Sequence, residues 1–141
     1  MNRVGRVNIK RFTERIAYAK EKARGHTSVR EILNTLQFLY EHPNQTYYSI
    51  VDLLNIAEPD GLENLMDSVL FLSSKPIKIF SLQFCYFPPD SDETIEITAE
   101  SYFEAKTHGY PPVDTKGREL NDINLKRLGF SCFIHPELRE G

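Results

Sequence analysis

The spacing of the apolar residues changes at Lys75–Pro76, and this change constrains the fold more than any other feature of the chain. Before it, apolar side chains recur every three or four residues, which is typical of helices with one buried face. After it, residues 77–86 alternate with a period of two, as the two faces of a strand do. Helices followed by strands in a chain of 141 residues favour one small α+β domain.

The first predicted helix has a narrow apolar face and is otherwise basic. Gly25 follows the last apolar position and is expected to end the helix. A face this narrow suits docking on one neighbour, and a second copy of the chain, in a homodimer, is one candidate for that neighbour. Its apolar positions fall within an arc of about 80° and are Ile9, Phe12, Ile16, Ala19 and Ala23.

Three further helices are predicted by the same spacing. Ser28 begins the second, with a glutamate three residues on in capping-box position, and that helix stops before Pro43. The third spans roughly residues 46–55, and Asp60 caps the fourth. The apolar residues expected to face inward are Val29, Ile32, Leu33, Leu36, Leu39, Ile50, Val51, Leu53, Leu54, Leu62, Leu65, Met66, Val69 and Leu72.

A β-hairpin and a short helix are predicted after Pro76. Residues 88–92 have the composition of a turn and separate the long strand from a second strand around Ile95 and Ile97. Thr98 then caps a helix that ends at Gly109. A last strand is expected from Phe130 to Ile134, so the region from residue 99 onward forms a C-terminal α/β extension.

Three helices, a tight turn between the last two, and then a hairpin give residues 28–98 an element order that resembles the winged-helix superfamily. We therefore predict an α+β protein with a winged-helix-like core over residues 28–98. Residues 1–27 form a basic amphipathic helical arm, and residues 99–141 pack on the core within a single domain.

The charges of the chain are divided steeply along its length. Residues 1–30 carry nine basic and two acidic side chains, whereas residues 31–141 carry eight basic and eighteen acidic ones. The net charge of −3 for the whole chain conceals this division. A basic segment on an acidic body indicates either an anionic partner or a body that neutralises its own segment.

The winged-helix resemblance implies DNA binding, with the last of the three helices in the major groove and the hairpin tip on the backbone. That helix has no lysine or arginine between Asp60 and Ser74, and the hairpin tip carries Asp90, Asp92 and Glu93. Because DNA binding depends on cations at phosphates, we expect any DNA contact to lie in the N-terminal segment. The candidate DNA-binding residues are Arg3, Arg6, Lys10, Arg11, Arg15, Lys22 and Arg24.

Other functions remain open for the two charged regions. The acidic fourth helix favours a protein-interaction module, such as an adaptor, inhibitor or immunity-type protein. Its candidate contact residues are Asp60, Glu63, Asn64, Asp67 and Phe71. The basic helix has three further possible targets: the acidic body of its own chain, a second subunit, and an anionic membrane or partner protein.

No catalytic, metal or cofactor motif is found, and we predict a non-enzymatic regulatory protein with a role in transcription regulation. His26, His42, His108 and His135 have no useful spacing, and Cys132 and His135 are expected on opposite faces of a strand. No run approaches the ~20 apolar residues of a membrane span, and the chain begins with charged residues instead of a secretory signal. A cytoplasmic location with reduced cysteines is therefore expected.

Overall fold

A computed structural model of the chain describes residues 6–140, and within them the fold is α+β, as predicted. These residues form five α-helices and four strands. Their bounds are α1 (Ile9–Lys22), α2 (Val29–Glu41), β1 (Tyr47–Ser49), α3 (Ile50–Ala57), α4 (Leu62–Ser73), β2 (Phe80–Tyr86), β3 (Ile95–Ile97), α5 (Ala99–His108) and β4 (Leu128–Ile134). Two short 3-10 turns, Leu125–Arg127 and Pro136–Leu138, flank the last strand.

The strands form one antiparallel sheet in the order β1-β4-β2-β3. The hairpin of β2 and β3 is shorter than expected, with three residue pairs that run from Phe84 opposite Ile97 to Tyr86 opposite Ile95. Two causes limit its length. Lys78 has a left-handed backbone with φ of 48°, so the strand begins only at Phe80, and the prolines that follow Phe87 have no N–H to donate to a ladder.

The chain divides into two compact units. The first contains the described residues up to Leu82 together with those from Cys132 onward, and it holds α1 to α4. The second spans Gln83–Ser131 and holds α5. Both the basic first helix and the acidic fourth helix therefore belong to the first unit.

The apolar face of α1 is buried within the chain itself. The side chain of Asn8 accepts a hydrogen bond from the Arg11 amide at 3.1 Å and so begins the helix. Four of the five stripe residues are at most 2% exposed, but the prediction for Ile9 is wrong, since it is 55% exposed. Ile9 lies in the first turn at the edge of the arc, where no neighbour covers it. A homodimer would accordingly need a surface other than this stripe.

The capping box predicted at Ser28 is wrong, and the box is found at the start of α3 instead. Ser28 has φ of −104° and ψ of 33°, outside the extended region that a capping side chain requires, and it makes no cap hydrogen bond. Glu31 is buried and pairs with Arg30 at 2.9 Å. At α3, the Ser49 hydroxyl accepts from the Asp52 amide at 3.1 Å, and the Asp52 carboxylate accepts from the Ser49 amide at 3.0 Å.

The starts of α3 and α4 also differ from the prediction. Residues 47–49 are the strand β1, so α3 begins later than expected, and α4 is capped by Gly61 instead of Asp60. Four residues predicted to face inward are exposed, and they are Leu33, Val51, Leu54 and Leu62. Leu33 and Leu54 directly follow the fully buried Ile32 and Leu53, so a helical step of about 100° carries them to another face. Leu62 is the first residue of α4.

The second unit has its own aromatic packing around α5, which begins and ends as predicted. The Thr98 hydroxyl accepts from the Ser101 amide at 3.1 Å, and Gly109 ends the helix with φ of 73°. Tyr102 packs on Phe84 with ring centroids 4.5 Å apart. These contacts fix α5 beside the hairpin of β2 and β3.

Candidate anion-binding site

The basic side chains of α1 are unevenly distributed around the helix. The helical step places Arg11, Arg15 and Lys22 within an arc of about 60° that also contains Tyr18. This arc lies on one flank of the buried stripe. The first helix therefore presents one basic side next to its contact with the rest of the unit.

Arg15 is fixed in place by hydrogen bonds to its own chain. Its side chain is 21% exposed, and Nη1 donates to the carbonyl oxygens of Ile77 at 3.1 Å and Lys78 at 3.0 Å. Nη2 lies 3.4 Å from the Glu137 carboxylate. The guanidinium thus joins the α4–β2 connection to the C-terminal segment.

Glu137 is the acidic centre of a group of cations. Its carboxylate accepts from Lys78 Nζ at 3.0 Å as well as from Arg15, and its backbone carbonyl accepts from Arg11. The hydrogen bond from Lys78, assisted by Arg15 and by nearby His135, holds the pKa of the Glu137 carboxyl below its usual range. The carboxylate is therefore ionised at neutral pH and offsets part of the positive charge around it.

An open cleft of about 350 Å³ lies between α1 and the residues just before β2. We call it the basic cleft; it is lined by Arg15, Tyr18, Lys75, Pro76, Lys78 and Glu137. Three of these side chains are cationic and one is anionic. Lys22 lies close to one lining residue, since its Nζ is 5.5 Å from the centre of the Tyr18 ring.

Local backbone geometry positions the walls of this cleft. The amides of Ile77 and Lys78 both donate to the Ser74 carbonyl, at 3.0 and 2.8 Å, and this turn directs residues 75–78 back toward α1. On the other side, the Glu137 amide donates to His135 Nδ1 at 3.1 Å and begins the last 3-10 turn.

The start of α1 is attached to the same C-terminal segment. Val7 and Arg139 form an antiparallel bridge, the Asn8 amide donates to the Leu138 carbonyl at 2.8 Å, and the Arg6 carbonyl accepts from Glu140 at 2.7 Å. The predicted arm is thus built into the first unit by its backbone as well as by its side chains.

The candidate DNA-binding residues fall into three groups. Arg3 lies outside the described residues. Arg11 and Arg15 donate hydrogen bonds to backbone carbonyls of their own chain. The others project to solvent, with Arg24 in an exposed pair with Glu21 at 3.3 Å, and they are Arg6, Lys10, Lys22 and Arg24.

Sequence reasoning missed Lys75, Lys78 and Glu137. The short Lys-Pro-Ile-Lys segment is a local sign that the first two could act together. Their proximity to α1 and to Glu137 depends on tertiary contacts across 59 to 122 residues, which no local pattern encodes.

The acidic face of α4 differs in composition from the prediction. Glu63 and Asp67 are exposed as expected, and Asn64 is half-buried. Phe71 is also half-buried, because its ring packs against His26 with centroids 5.2 Å apart. The exposed apolar residues of this helix are instead Leu62 and Leu70, at 67% and 40%. Asp60 lies 3.5 Å from Arg30 in an exposed pair.

Within the described residues we find no candidate metal site, and both cysteine thiols are buried. No group of three His, Cys, Asp or Glu side chains in residues 6–140 could hold a metal ion. Both cysteines are buried and free; burial raises the pKa of the Cys85 thiol to about 11 and also raises that of Cys132. Over the same residues, no helix has the length and apolar character to cross a bilayer.

No family model, curated protein or solved structure matches this chain. The winged-helix resemblance of residues 28–98 therefore depends on the order of α2, α3, α4, β2 and β3 alone. The described residues carry a basic surface at the basic cleft and an acidic surface at the outer face of α4.

Proposed function

We propose that the protein is a non-catalytic regulatory protein of winged-helix type that associates with DNA through its basic N-terminal helix. The observation that carries the proposal is the convergence of Arg15, Lys75 and Lys78 on one open cleft, with Lys22 next to its Tyr18 wall. This convergence extends the basic surface beyond the N-terminal segment to the residues before β2.

The chemistry of the cleft suits phosphate groups. Arginine and lysine donate charge-assisted hydrogen bonds to phosphate oxygens, and Arg15 is already oriented by its two backbone carbonyl partners. The step from Arg11 to Lys22 covers about 16 Å along the helix axis, which is long enough to follow several phosphates of a duplex. Binding of this kind is electrostatic and depends little on base sequence.

The position of the carboxylates supports the assignment of DNA to α1 and not to α4. Glu63 and Asp67 are exposed on α4, and Asp60 precedes that helix. The residues of the hairpin loop, Asp90 and Asp92, are exposed as well. Each of these carboxylates would repel a phosphate backbone, so the usual DNA-contacting elements of a winged helix are unsuited to that role here.

The salt dependence of DNA affinity tests this proposal. Fluorescence anisotropy with a labelled duplex, repeated over a range of salt concentrations, gives the slope of log affinity against log salt. In a Lys22→Gln/Lys75→Gln variant, the slope should become shallower by about 1.8, since each lost phosphate contact accounts for about 0.9.

A matched control removes two exposed lysines from the second unit. Lys116→Gln/Lys126→Gln makes the same change in net charge within the second unit, and it should leave the slope close to that of the wild type. Equal slopes for the two double variants, or a flat salt response of the wild type, would refute DNA binding by the basic helix.

A second candidate function, protein interaction at α4, is favoured by one observation. Glu63, Asp67 and Leu70 share one side of the helix by their spacing, so an exposed leucine lies beside two carboxylates. Such a surface suits a basic amphipathic partner. Glu63→Lys/Asp67→Lys should abolish capture of that partner, while Glu100→Lys/Glu104→Lys on α5 should not; equal capture by both would exclude this surface.

A further inference from the structure

We propose that the basic cleft is a phosphate-binding subsite whose internal occupant is the Glu137 carboxylate, and that a phosphodiester group of a nucleic acid displaces it. The inference rests on the proposed function and deepens it, because it names both the subsite and the group that competes for it. Glu137 then limits binding until a phosphate takes its place.

The donors that hold Glu137 are those that a phosphate would use. Lys78 Nζ donates to one carboxylate oxygen at 3.0 Å, and Arg15 Nη2 lies 3.4 Å from the other. A phosphodiester presents two anionic non-bridging oxygens, as a carboxylate does, and can bind the same two cations. Lys75 lines the same cleft and forms no ion pair with any described residue, so it can add a third cation beside the same phosphodiester.

The carboxylate can leave without a change in the fold. The Glu137 side chain and that of Lys78 are 46% and 39% exposed, and ion pairs this accessible to water are weak. The backbone of Glu137 is held separately, by its amide bond to His135 and by its carbonyl bond from Arg11. Rotation of the side chain alone therefore opens the cleft, while Arg15 stays fixed by the carbonyls of residues 77 and 78.

Four proteins test the inference: the wild type, Glu137→Gln, Lys78→Gln and Glu14→Gln. Glu14 is exposed, lies on the opposite side of α1 from the buried stripe, and forms no ion pair with the rest of the described chain, so it controls for the loss of one negative charge. Thermal unfolding monitored by circular dichroism verifies that each variant is folded.

Three probes are compared at constant ionic strength. Inorganic phosphate, titrated against chloride and followed by amide chemical shifts, measures the subsite itself. A labelled DNA duplex measures the proposed ligand, and vesicles containing an anionic phospholipid measure a lipid source of the same phosphate chemistry.

Removal of the internal competitor should tighten binding. We expect Glu137→Gln to bind phosphate and duplex about two- to five-fold more tightly than the wild type, the range that an exposed ion pair supports. Lys78→Gln should weaken both, and Glu14→Gln should change either by less than about two-fold. Equal effects of Glu137→Gln and Glu14→Gln would overturn the inference.

The probes separate the failure of this inference from the failure of the proposed function. If no protein binds DNA but phosphate binding responds to Glu137→Gln, the subsite stands and the DNA function fails. If DNA binds and does not respond to Glu137→Gln, the function stands and the competitor role fails. A response confined to vesicles would overturn the assignment to nucleic acid.

Discussion

Arg15 Nη2 lies 3.4 Å from the Glu137 carboxylate, although the two residues are 122 positions apart in the sequence. Together with the bridge between Val7 and Arg139, this contact ties the basic first helix to the end of the chain. The helix is thus both a structural part of the first unit and the main source of its positive charge. Functional tests should neutralise chosen charged side chains and keep the helix, because deletion of the helix would expose the apolar core.

Arg15→Ala should destabilise the protein. The substitution removes hydrogen bonds to the carbonyls of Ile77 and Lys78 and the contact with Glu137, and we expect a loss of about 1–3 kcal/mol in the free energy of unfolding. Urea denaturation measures the change. Arg24→Ala, which removes an exposed arginine from the same region, should stay within about 0.5 kcal/mol; an equal loss in both variants would contradict the structural role of Arg15.

Stability should fall as His135 becomes protonated. Burial lowers the pKa of His135 below 6.5; Lys78 and Arg15 lower it further, and Glu137 acts in the opposite direction. The folded state therefore favours the neutral imidazole ring, and Nδ1 of this ring accepts a hydrogen bond from the Glu137 amide. This contribution is complete above pH 6.5 and is lost as the pH falls from there through the lower pKa of the folded state.

The matched variants for this pH dependence are His135→Asn and His108→Asn. Asparagine keeps an acceptor for the cap but does not titrate, so His135→Asn should remove part of the decline in melting temperature below pH 6.5. His108 is exposed at the end of α5, and His108→Asn should leave the decline unchanged. Identical pH profiles for the wild type and His135→Asn would contradict the prediction.

Tyr48→Phe should be neutral or stabilising. The Tyr48 side chain is fully buried, and its hydroxyl has no hydrogen-bond partner within the described residues. Removal of an unsatisfied buried hydroxyl avoids a desolvation cost of about 1–3 kcal/mol, while the ring contacts with Phe38 and Phe80 remain. Thermal unfolding measures the effect, with Tyr40→Phe as the control because Tyr40 is exposed. A clear loss of stability in Tyr48→Phe alone would contradict the prediction and would show that the Tyr48 hydroxyl has a hydrogen-bond partner.

Glu58→Gly should stabilise the end of α3. Glu58 has φ of 50° and ψ of 55°, a left-handed conformation that costs a residue with a side chain about 1–2 kcal/mol and costs glycine little. The same exchange inside a helix, Glu104→Gly in α5, should cost about 1 kcal/mol. Denaturant titrations should therefore shift in opposite directions, and shifts of the same sign would refute the backbone argument.

The α+β class and most helices were predictable because they depend on local periodicity. The stripe of α1 from Phe12 to Ala23, the stop of α2 before Pro43 and the caps of α5 at Thr98 and Gly109 all follow from side chains close in sequence. Three-residue β1 was not predictable, since a segment so short is stabilised by its neighbour in the sheet and not by its own composition.

The candidate site was predictable only in its N-terminal half. Arg11 and Arg15 are evident from the charge division, but Lys78 and Glu137 join them through long-range packing. Phe71 was predicted as a contact residue from its position on the helix, but His26, which lies outside that helix, covers part of its ring. Local patterns describe one element at a time, whereas charge neutralisation and burial depend on which elements meet.

The central claim is that the basic side of α1 and residues 75–78 contact DNA, and chemical-shift mapping tests it most directly. Amide spectra recorded with increasing duplex should show shifts that saturate at Arg11, Arg15, Lys22, Lys75, Ile77 and Lys78, and these shifts should diminish as salt is raised. Shifts confined to Glu63–Leu70 or to residues 83–131, or an unchanged spectrum at low salt, would contradict it.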